Sequence, residues 1–140
     1  MPNQALPGGC YRISAEENAV LCAAVGSTPA ADGRAHPIFY YIAGQLAMGL
    51  SVAQLCELFQ FDVAAGPLLS QSNVTFTEEL RVGDEYRVTG EILSLVRKAS
   101  RKFGALDLLT YRLTLTGPHG NRAAECTNQW VLPRTGAAAP

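Results

Sequence analysis

The chain carries few charged residues for its length. Only 16% of its 140 residues are charged, the formal net charge is −1, and there are two histidines. A balance this close to neutral lacks the basic surplus that attracts nucleic acid or an anionic membrane, so neither is expected as a partner. So small a charged fraction also predicts that apolar surface is covered by another subunit.

The four cysteines lack the spacing of a metal site. Cys10, Cys22, Cys56 and Cys126 form no CxxC pair, and each stands among apolar or small residues. We therefore predict reduced core thiols, no bound metal and a cytoplasmic location. The N-terminus shows no signal-peptide pattern, and polar residues interrupt the most apolar stretch, 42–60, so no membrane-spanning segment is predicted.

Two helices are predicted in the first half of the chain. Residues 14–26 start with a capping-box pattern and end at a glycine, which are typical helix boundaries. Residues 37–61 start with proline and are apolar nearly all round, as expected of one long helix buried on every side. The Pro- and Gly-rich residues 1–9 and the tail 134–140 are expected to be flexible.

The second half of the chain shows the alternation of apolar and polar residues that is typical of strands. Gly90 predicts a bulge or bend within this region. We therefore predict one α+β domain over residues 1–140, in which a curved antiparallel sheet wraps around the long helix. The segments that alternate are 66–80, 85–98, 104–117 and 122–133.

Three phrases in this order of elements are similar to those of a known family. LRVGDEYRVTGEI at 80–92 contains the L-x-V-G-D turn between two strands, AHPIF at 35–39 is similar to the start of the central helix, and ENAVLCAAVG at 17–26 is similar to the first helix. Residues 12–133 thereby resemble the hot-dog fold, and within it the MaoC-like and FAS1-like dehydratases and (R)-specific enoyl-CoA hydratases. In that family an approximate G-D-x-N-P-x-H phrase follows the first helix, whereas here Ser27 stands where the aspartate is expected.

The resemblance implies chemistry on an acyl thioester, namely the reversible conversion of a 2-enoyl thioester into a 3-hydroxyacyl thioester. It implies no bound cofactor, because the substrate itself is carried on coenzyme A or on the phosphopantetheine of an acyl carrier protein. It also implies a homodimer, or a heteromer with a second hot-dog subunit. Because the G-D-x-N-P-x-H phrase is missing, a non-catalytic, substrate-binding subunit is an alternative, and an acyl-CoA thioesterase is another.

Asp32 and His36 are the acid and imidazole that stand close together in the sequence. In the catalytic interpretation His36 exchanges a proton and Asp32 orients it. In the structural interpretation Asp32 belongs to an ordinary turn and His36 only precedes a helix. The backbone amides of Ile38 and Phe39 at the start of the helix are expected to bind the thioester carbonyl oxygen.

Further residues are candidates for binding the substrate. Ser27, Tyr40 and Asn73 carry polar groups that suit a pocket, although a loop, core packing and an interface hydrogen bond are the simpler explanations. A cluster of cations between two predicted strands would suit the phosphates of coenzyme A or an acidic carrier protein, and its alternative is a solvated hairpin. We name this cluster the basic hairpin; its residues are Arg97, Lys98, Arg101 and Lys102.

Overall fold

The computed structural model describes residues 4–134. The first half contains two short strands and three helices, and a 3-10 turn at Val63–Ala65 leads into four strands. The helices are α1 (Ala15–Ala24), α2 (Phe39–Ala47) and α3 (Val52–Leu58). The strands are β1 (Gln4–Ala5), β2 (Gly9–Arg12), β3 (Leu68–Phe76), β4 (Glu85–Ser100), β5 (Gly104–Thr116) and β6 (Arg122–Pro133).

The strands form one antiparallel sheet in the order β1-β4-β5-β6-β3, and β2 also pairs with β4. The predicted strands and the predicted α+β class are confirmed. The expectation for Gly90 is corrected, because the register irregularity of β4 lies between Ile92 and Ser94. A Cβ on Gly90 would lie 2.5 Å from Cδ2 of Leu113, so this glycine allows a close approach of two strands.

Helix α2 lies against the inner face of the sheet. Its residues Phe39, Ala43 and Ala47 are buried, and so are Tyr111 and Leu113 on the facing side of β5. Small side chains let the helix axis approach the strands closely, since a bulky residue would hold them apart. The core therefore lies between this one helix and the concave side of the sheet.

The prediction of one helix over 37–61 is wrong, because the helix breaks after Ala47. Gly49 adopts a left-handed backbone conformation with φ 89°, which ends a helix. Ser51 then begins α3 with a capping box, in which its side chain accepts a hydrogen bond from the Gln54 amide. The amide of Gly8 donates to the carbonyl of Met48, so the N-terminal segment occupies the break.

The prediction of flexible termini is wrong for the residues that the structure describes there. Residues 4–5 and 9–12 pair with β4, and Leu6 between them is buried in the core. At the other end, Arg134 donates hydrogen bonds to Asp107 and to two backbone carbonyls after α3. Residues 1–3 and 135–140 lie outside the described part of the chain.

The first helix forms as predicted, since the Ser14 side chain accepts a hydrogen bond from the Glu17 amide at 3.0 Å. All four cysteines are free; three are buried, but Cys10 is exposed, so the prediction of a core thiol is wrong there. Burial raises the pKa of Cys126 to about 11, which keeps this thiol protonated at neutral pH. Within residues 4–134, no helix has the length and apolar character needed to cross a membrane.

Candidate active site

A cavity of about 420 Å³ lies just before α2, between the loop that follows α1 and the segment that follows β3. Most of its wall is apolar and comes from small residues, a proline, Phe76 and Leu80. Its polar lining is provided by Ser27, Thr28, Arg34, His36 and Glu79. An apolar hollow with a few convergent polar groups is typical of a small-molecule site.

Backbone hydrogen bonds hold the loop that carries His36. The amide of Ala35 donates to the carbonyl of Leu80 at 2.7 Å, and the amide of Val82 donates to the carbonyl of Gly33 at 2.9 Å. This pairing places the L-x-V-G-D phrase directly beside the cavity. Gly83 of that phrase has φ 89°, a conformation that glycine adopts without strain.

His36 is fixed on two sides. Its backbone amide donates to Oδ1 of Asn18 at 2.8 Å, and Asn18 is 2% exposed on α1. Its Nδ1 accepts a hydrogen bond from the backbone amide of Ile38 at 3.1 Å. Sequence reasoning missed Asn18, although a lone amide within the apolar stretch of α1 is a recognisable signal for a buried hydrogen bond.

The structure does not bring Asp32 and His36 together, so the predicted pair is corrected. The Asp32 carboxylate accepts hydrogen bonds from the backbone amide and from Nε of Arg34, at 3.2 and 3.0 Å. Hydrogen bonds from the Arg34 side chain and backbone lower the pKa of this exposed carboxyl. Aspartate often bonds to the backbone two residues further on, and here that local turn engages the carboxylate with Arg34 and not with the imidazole.

The amides of Ile38 and Phe39 are both engaged, so the structure does not leave them free for a carbonyl oxygen. Ile38 donates to Nδ1 of His36, and Phe39 donates to the His36 carbonyl at 3.1 Å. The amide of Tyr40 likewise donates to the carbonyl of Pro37. Tight i→i+3 bonds of this kind satisfy the first donors of a helix without any ligand.

Two of the other predicted binding residues lie outside the cavity wall. The Tyr40 ring packs edge-on against Phe76 with 6.0 Å between centroids, and its hydroxyl lies 3.0 Å from Oγ of Ser72. It therefore stands behind Phe76. Asn73 is exposed, because side chains alternate along β3 and its neighbours Ser72 and Val74 face the core, so its role in substrate binding stays a prediction. Ser27, in contrast, does line the cavity.

A hydrogen-bonded chain of polar groups lies deeper between α2 and the sheet. The indole of Trp130 donates to the hydroxyl of Tyr111 at 3.0 Å, and that hydroxyl donates to Oε1 of Gln45 at 2.9 Å. Burial raises the pKa of Tyr111 to about 12, so it remains a phenol and not a base. This network therefore serves to hold α2 on the sheet.

The basic hairpin lies at the other end of the sheet from the cavity. Phe76 aligns through β6 with Leu115, whereas the hairpin ends at Gly104, a separation of roughly 37 Å along β5 at about 3.4 Å per residue. Arg97 is also not a free cation, because it forms a two-point ion pair with Asp107 at 2.8 and 3.2 Å. Lys98, Arg101 and Lys102 are exposed, and the Lys102 ammonium lies 5.3 Å from the centre of the Phe103 ring.

Two residues of the cavity had no signal in the sequence. Arg34 and Glu79 lie 45 positions apart, and Nη1 of Arg34 meets Oε1 of Glu79 at 3.3 Å only because the two loops pair. Among the residues that line the cavity, Glu79 is the one carboxylate. The acid nearest to His36 in the chain is therefore not the acid that shares its cavity.

No model of a protein family matches the chain, and no curated protein matches it at a significant level. Solved structures do match its fold. A monoamine oxidase regulatory protein from Archaeoglobus fulgius superposes with a TM-score of 0.70 and 11% identity, covering 96% of this chain and 92% of that chain. A MaoC-like dehydratase from Rhodospirillum rubrum superposes with a TM-score of 0.67 and 14% identity, covering 98% and 95% of the respective chains.

A third match is the C-terminally truncated HadBC (3R-hydroxyacyl-ACP dehydratase) complex from Mycobacterium tuberculosis, at a TM-score of 0.67 and 17% identity, covering 93% of this chain and 96% of that chain. Identities this low establish a shared fold. The shared fold agrees with the antiparallel sheet that wraps around α2. The chain therefore has the hot-dog fold, as the motifs in its sequence predicted.

Proposed function

We propose that this chain is an acyl-thioester hydro-lyase, which interconverts a 2-enoyl thioester and a 3-hydroxyacyl thioester. The observation that carries the proposal is the cavity before α2, where an imidazole and a carboxylate share one largely apolar space. Two solved structures with the same fold are described as dehydratases, one MaoC-like and one acting on a 3R-hydroxyacyl carrier-protein substrate. Similarity of fold raises the probability of related chemistry, whereas the residues of the site must carry the activity itself.

The reaction requires three things of its site. An acyl chain needs an apolar wall, which Phe76 and Leu80 help to form. A carbonyl oxygen that gains negative charge needs a hydrogen-bond donor, and a group must move the proton between carbon and water. His36 and Glu79 are available for these tasks, and coenzyme A or phosphopantetheine carries the substrate, so no cofactor is required.

We propose that a second hot-dog subunit completes the site. Within residues 4–134, β3 pairs with β6 along one edge, and its other edge has no strand beside it. Leu68, Leu69 and Phe76 on this strand are between 39% and 52% exposed, and an uncovered apolar edge of this length favours pairing with another strand. Antiparallel pairing of two copies would bring the Leu68 end of one strand beside Phe76 of the other, at the cavity.

The same pairing suggests a role for the basic hairpin. It lies at the Leu68 end of the sheet, so in a dimer the hairpin of one copy belongs to the end that approaches the other copy's cavity. Lys98, Arg101 and Lys102 would then attract the phosphates of coenzyme A or an acidic carrier protein. Arg97 contributes less to this attraction, since Asp107 already balances its charge.

Hydration of crotonyl-CoA and of longer 2-enoyl-CoA thioesters tests the proposed activity. We expect the absorbance of the enoyl thioester to fall when the purified chain is added, and His36→Ala to reduce the rate by at least about 100-fold. His119→Ala is the matched control, because His119 is exposed in the turn between β5 and β6 and lies outside the cavity. No turnover of any enoyl thioester by the wild-type chain, or equal rates for the two variants, would contradict the proposal.

A second candidate function is supported by the engaged groups at the start of α2. Asp32 is bound to Arg34, and the amides of Ile38 and Phe39 are bound within the chain. A subunit that binds the acyl thioester while a second hot-dog subunit performs the chemistry would tolerate this arrangement. Such a subunit would bind acyl-CoA in calorimetry without turnover, and activity would appear only when it is co-expressed with a catalytic partner.

A further inference from the structure

The hydrogen bond to the His36 ring specifies which ring nitrogen carries the proton. Nδ1 accepts from the Ile38 amide at 3.1 Å, so Nδ1 is an acceptor. A neutral imidazole has one acceptor and one donor, and the donor is therefore Nε2. Imidazolium would carry a proton on both nitrogens and would turn its Nδ1–H against the Ile38 N–H, so the observed contact favours the neutral ring.

His36 also occupies the two backbone amides that would otherwise be free to donate a hydrogen bond to the substrate. The hydrogen bonds of Ile38 and Phe39 both end on His36, one on its ring and one on its carbonyl. The ring is in turn held in place because the His36 amide is tied to the buried Asn18. Since the backbone amide and Nδ1 of His36 are engaged, Nε2–H is the donor left to this residue, and His36 lines the cavity.

A neutral ring that donates from Nε2 cannot accept a proton there, so the proton must be carried by another group. Among the lining residues, that group is Glu79, a carboxylate positioned by its ion pair with Arg34 at 3.3 Å. Arg34 is itself held by Asp32 at 2.9 Å. Asp32 therefore helps to position Glu79 indirectly, because it holds the Arg34 side chain that pairs with Glu79.

We infer that His36 is a neutral hydrogen-bond donor to the thioester carbonyl oxygen and that Glu79 carries the proton, an inference that rests on the proposed function. In dehydration, the Glu79 carboxylate takes the C2 proton of the 3-hydroxyacyl thioester, and Nε2–H stabilises the enolate oxygen. Glu79 then returns that proton to the C3 hydroxyl, the C3–O bond breaks, the C2–C3 double bond forms and water leaves. Hydration runs the same steps in reverse, and both side chains end as they began.

Nitrogen NMR of the full chain labelled with ¹⁵N-histidine tests the role of His36 without any turnover. The two histidines are assigned with the His119→Gln variant. At pH 8, we expect the His36 signals of a neutral ring protonated on Nε2, with Nδ1 as a hydrogen-bonded acceptor. A ring protonated on Nδ1 would overturn the inference.

The vibrational frequency of a bound thioester carbonyl gives a second readout that is independent of turnover. Butyryl-CoA labelled with ¹³C at its carbonyl has no double bond to hydrate, so it stays intact in the site. We expect binding to lower the carbonyl frequency in the wild-type chain and in His36→Gln, which keeps an N–H donor, but not in His36→Ala. A shift that persists in His36→Ala would overturn the role of the imidazole.

Steady-state kinetics with enoyl-CoA test the division of roles. Glu79→Gln should lower kcat by about 10²- to 10⁴-fold, whereas Glu78→Gln, its exposed neighbour outside the cavity, should change it less than about twofold. His36→Gln should remain within about tenfold of the wild-type chain, because glutamine donates a hydrogen bond but cannot carry a proton. If His36→Gln fell as far as His36→Ala, the imidazole would be the proton carrier and the inference would be wrong.

Failure of the proposed function is distinguishable from failure of this inference. A wild-type chain that turns over no enoyl thioester removes the proposed activity and with it the role of Glu79. The tautomer and the carbonyl shift would still decide whether His36 is a neutral donor in a site that only binds thioesters. An active chain in which Glu79→Gln behaves like Glu78→Gln would leave the activity standing and overturn the role of Glu79.

Discussion

Replacing Asp107 with alanine is expected to lower the free energy of unfolding by about 3–5 kcal/mol, because it leaves two guanidinium groups without their buried partner. Asp107 is 3% exposed on β5 and accepts hydrogen bonds from Arg97 and Arg134 at 2.8 and 2.9 Å. Arg134 also binds the carbonyls of Phe59 and Gln60 after α3. One carboxylate thus joins the end of the helical layer to the sheet and to the last described residue of the chain.

The contribution of the Asp107 ion pairs to stability should appear in the pH dependence of unfolding. Burial by itself would raise the pKa of Asp107, but hydrogen bonds and charge from Arg97 and Arg134 outweigh it and lower the pKa below its usual value. A carboxyl with a lowered pKa in the folded state stabilises the protein above its unfolded pKa of about 3.9, and the stabilisation is lost as the pH falls through the folded value. The free energy of unfolding of the wild-type chain should exceed that of Asp107→Asn by its full amount at pH 6, and the difference should shrink below about pH 4.

Urea unfolding at pH 6 and pH 3 measures both effects. Glu57→Ala is a suitable control, since Glu57 is exposed on α3 and should change stability by less than about 0.5 kcal/mol. The account of Asp107 is contradicted if its alanine variant is no less stable than the control, or if the difference to Asp107→Asn is the same at both pH values. A folded Asp107→Asn variant keeps the pH comparison possible even where the alanine variant does not fold.

Alanine at Gly49 should destabilise the protein much more than alanine at Gly83, although both glycines have φ 89°. An L-residue in this backbone region costs about 1–2 kcal/mol at either position. At Gly83 an added Cβ meets nothing within 4 Å, whereas at Gly49 it would lie 2.7 Å from the Gly8 nitrogen and 2.6 Å from Cβ of Pro7. Because backbone atoms cannot move aside as side chains do, Gly49→Ala should cost about 2 kcal/mol more than Gly83→Ala.

Thermal and urea unfolding of the two single variants test this comparison. The matched φ removes the intrinsic cost of the left-handed conformation from the difference, so only the packing of residues 7–8 against the break after α2 remains. Proteolysis should also cut the N-terminal segment faster in Gly49→Ala than in Gly83→Ala, since the segment loses its place beside Met48. Equal losses of stability in the two variants would show that the N-terminal segment does not pack there.

Much of the fold could be predicted because its signals are local. Alternating side chains located all four long strands, since one buried face imposes a period of two wherever the strand lies in the sheet. The boundaries of α1 were equally readable from Ser14 and Gly26. The break in the central helix was also written in the sequence, as Gly49 followed by the Ser51 cap, but the apolar residues on both sides concealed it.

The site could be predicted only where one segment carries it. His36 and Ser27 were found because a single loop before α2 contains both. The partner of His36 was assigned to Asp32 from nearness in the chain, while the turn at Gly33 gives that carboxylate to Arg34. Nearness along a loop does not determine direction, because a short polar side chain bonds first to its own backbone.

The sequence by itself determined the hot-dog fold, the first helix, the four long strands and the position of an imidazole at the start of the central helix. Tertiary structure alone decided which groups meet: Glu79 with Arg34 at the cavity, Asp107 of β5 with Arg134 at the end of the neighbouring β6, and Gly8 with Met48 in the helix break. The physical reason is one of distance along the chain. Local conformation follows from periodicity and caps within about ten residues. Each of these three contacts, in contrast, joins residues between 27 and 45 positions apart. These contacts form only when the sheet wraps around α2, and no pattern within either segment alone predicts them.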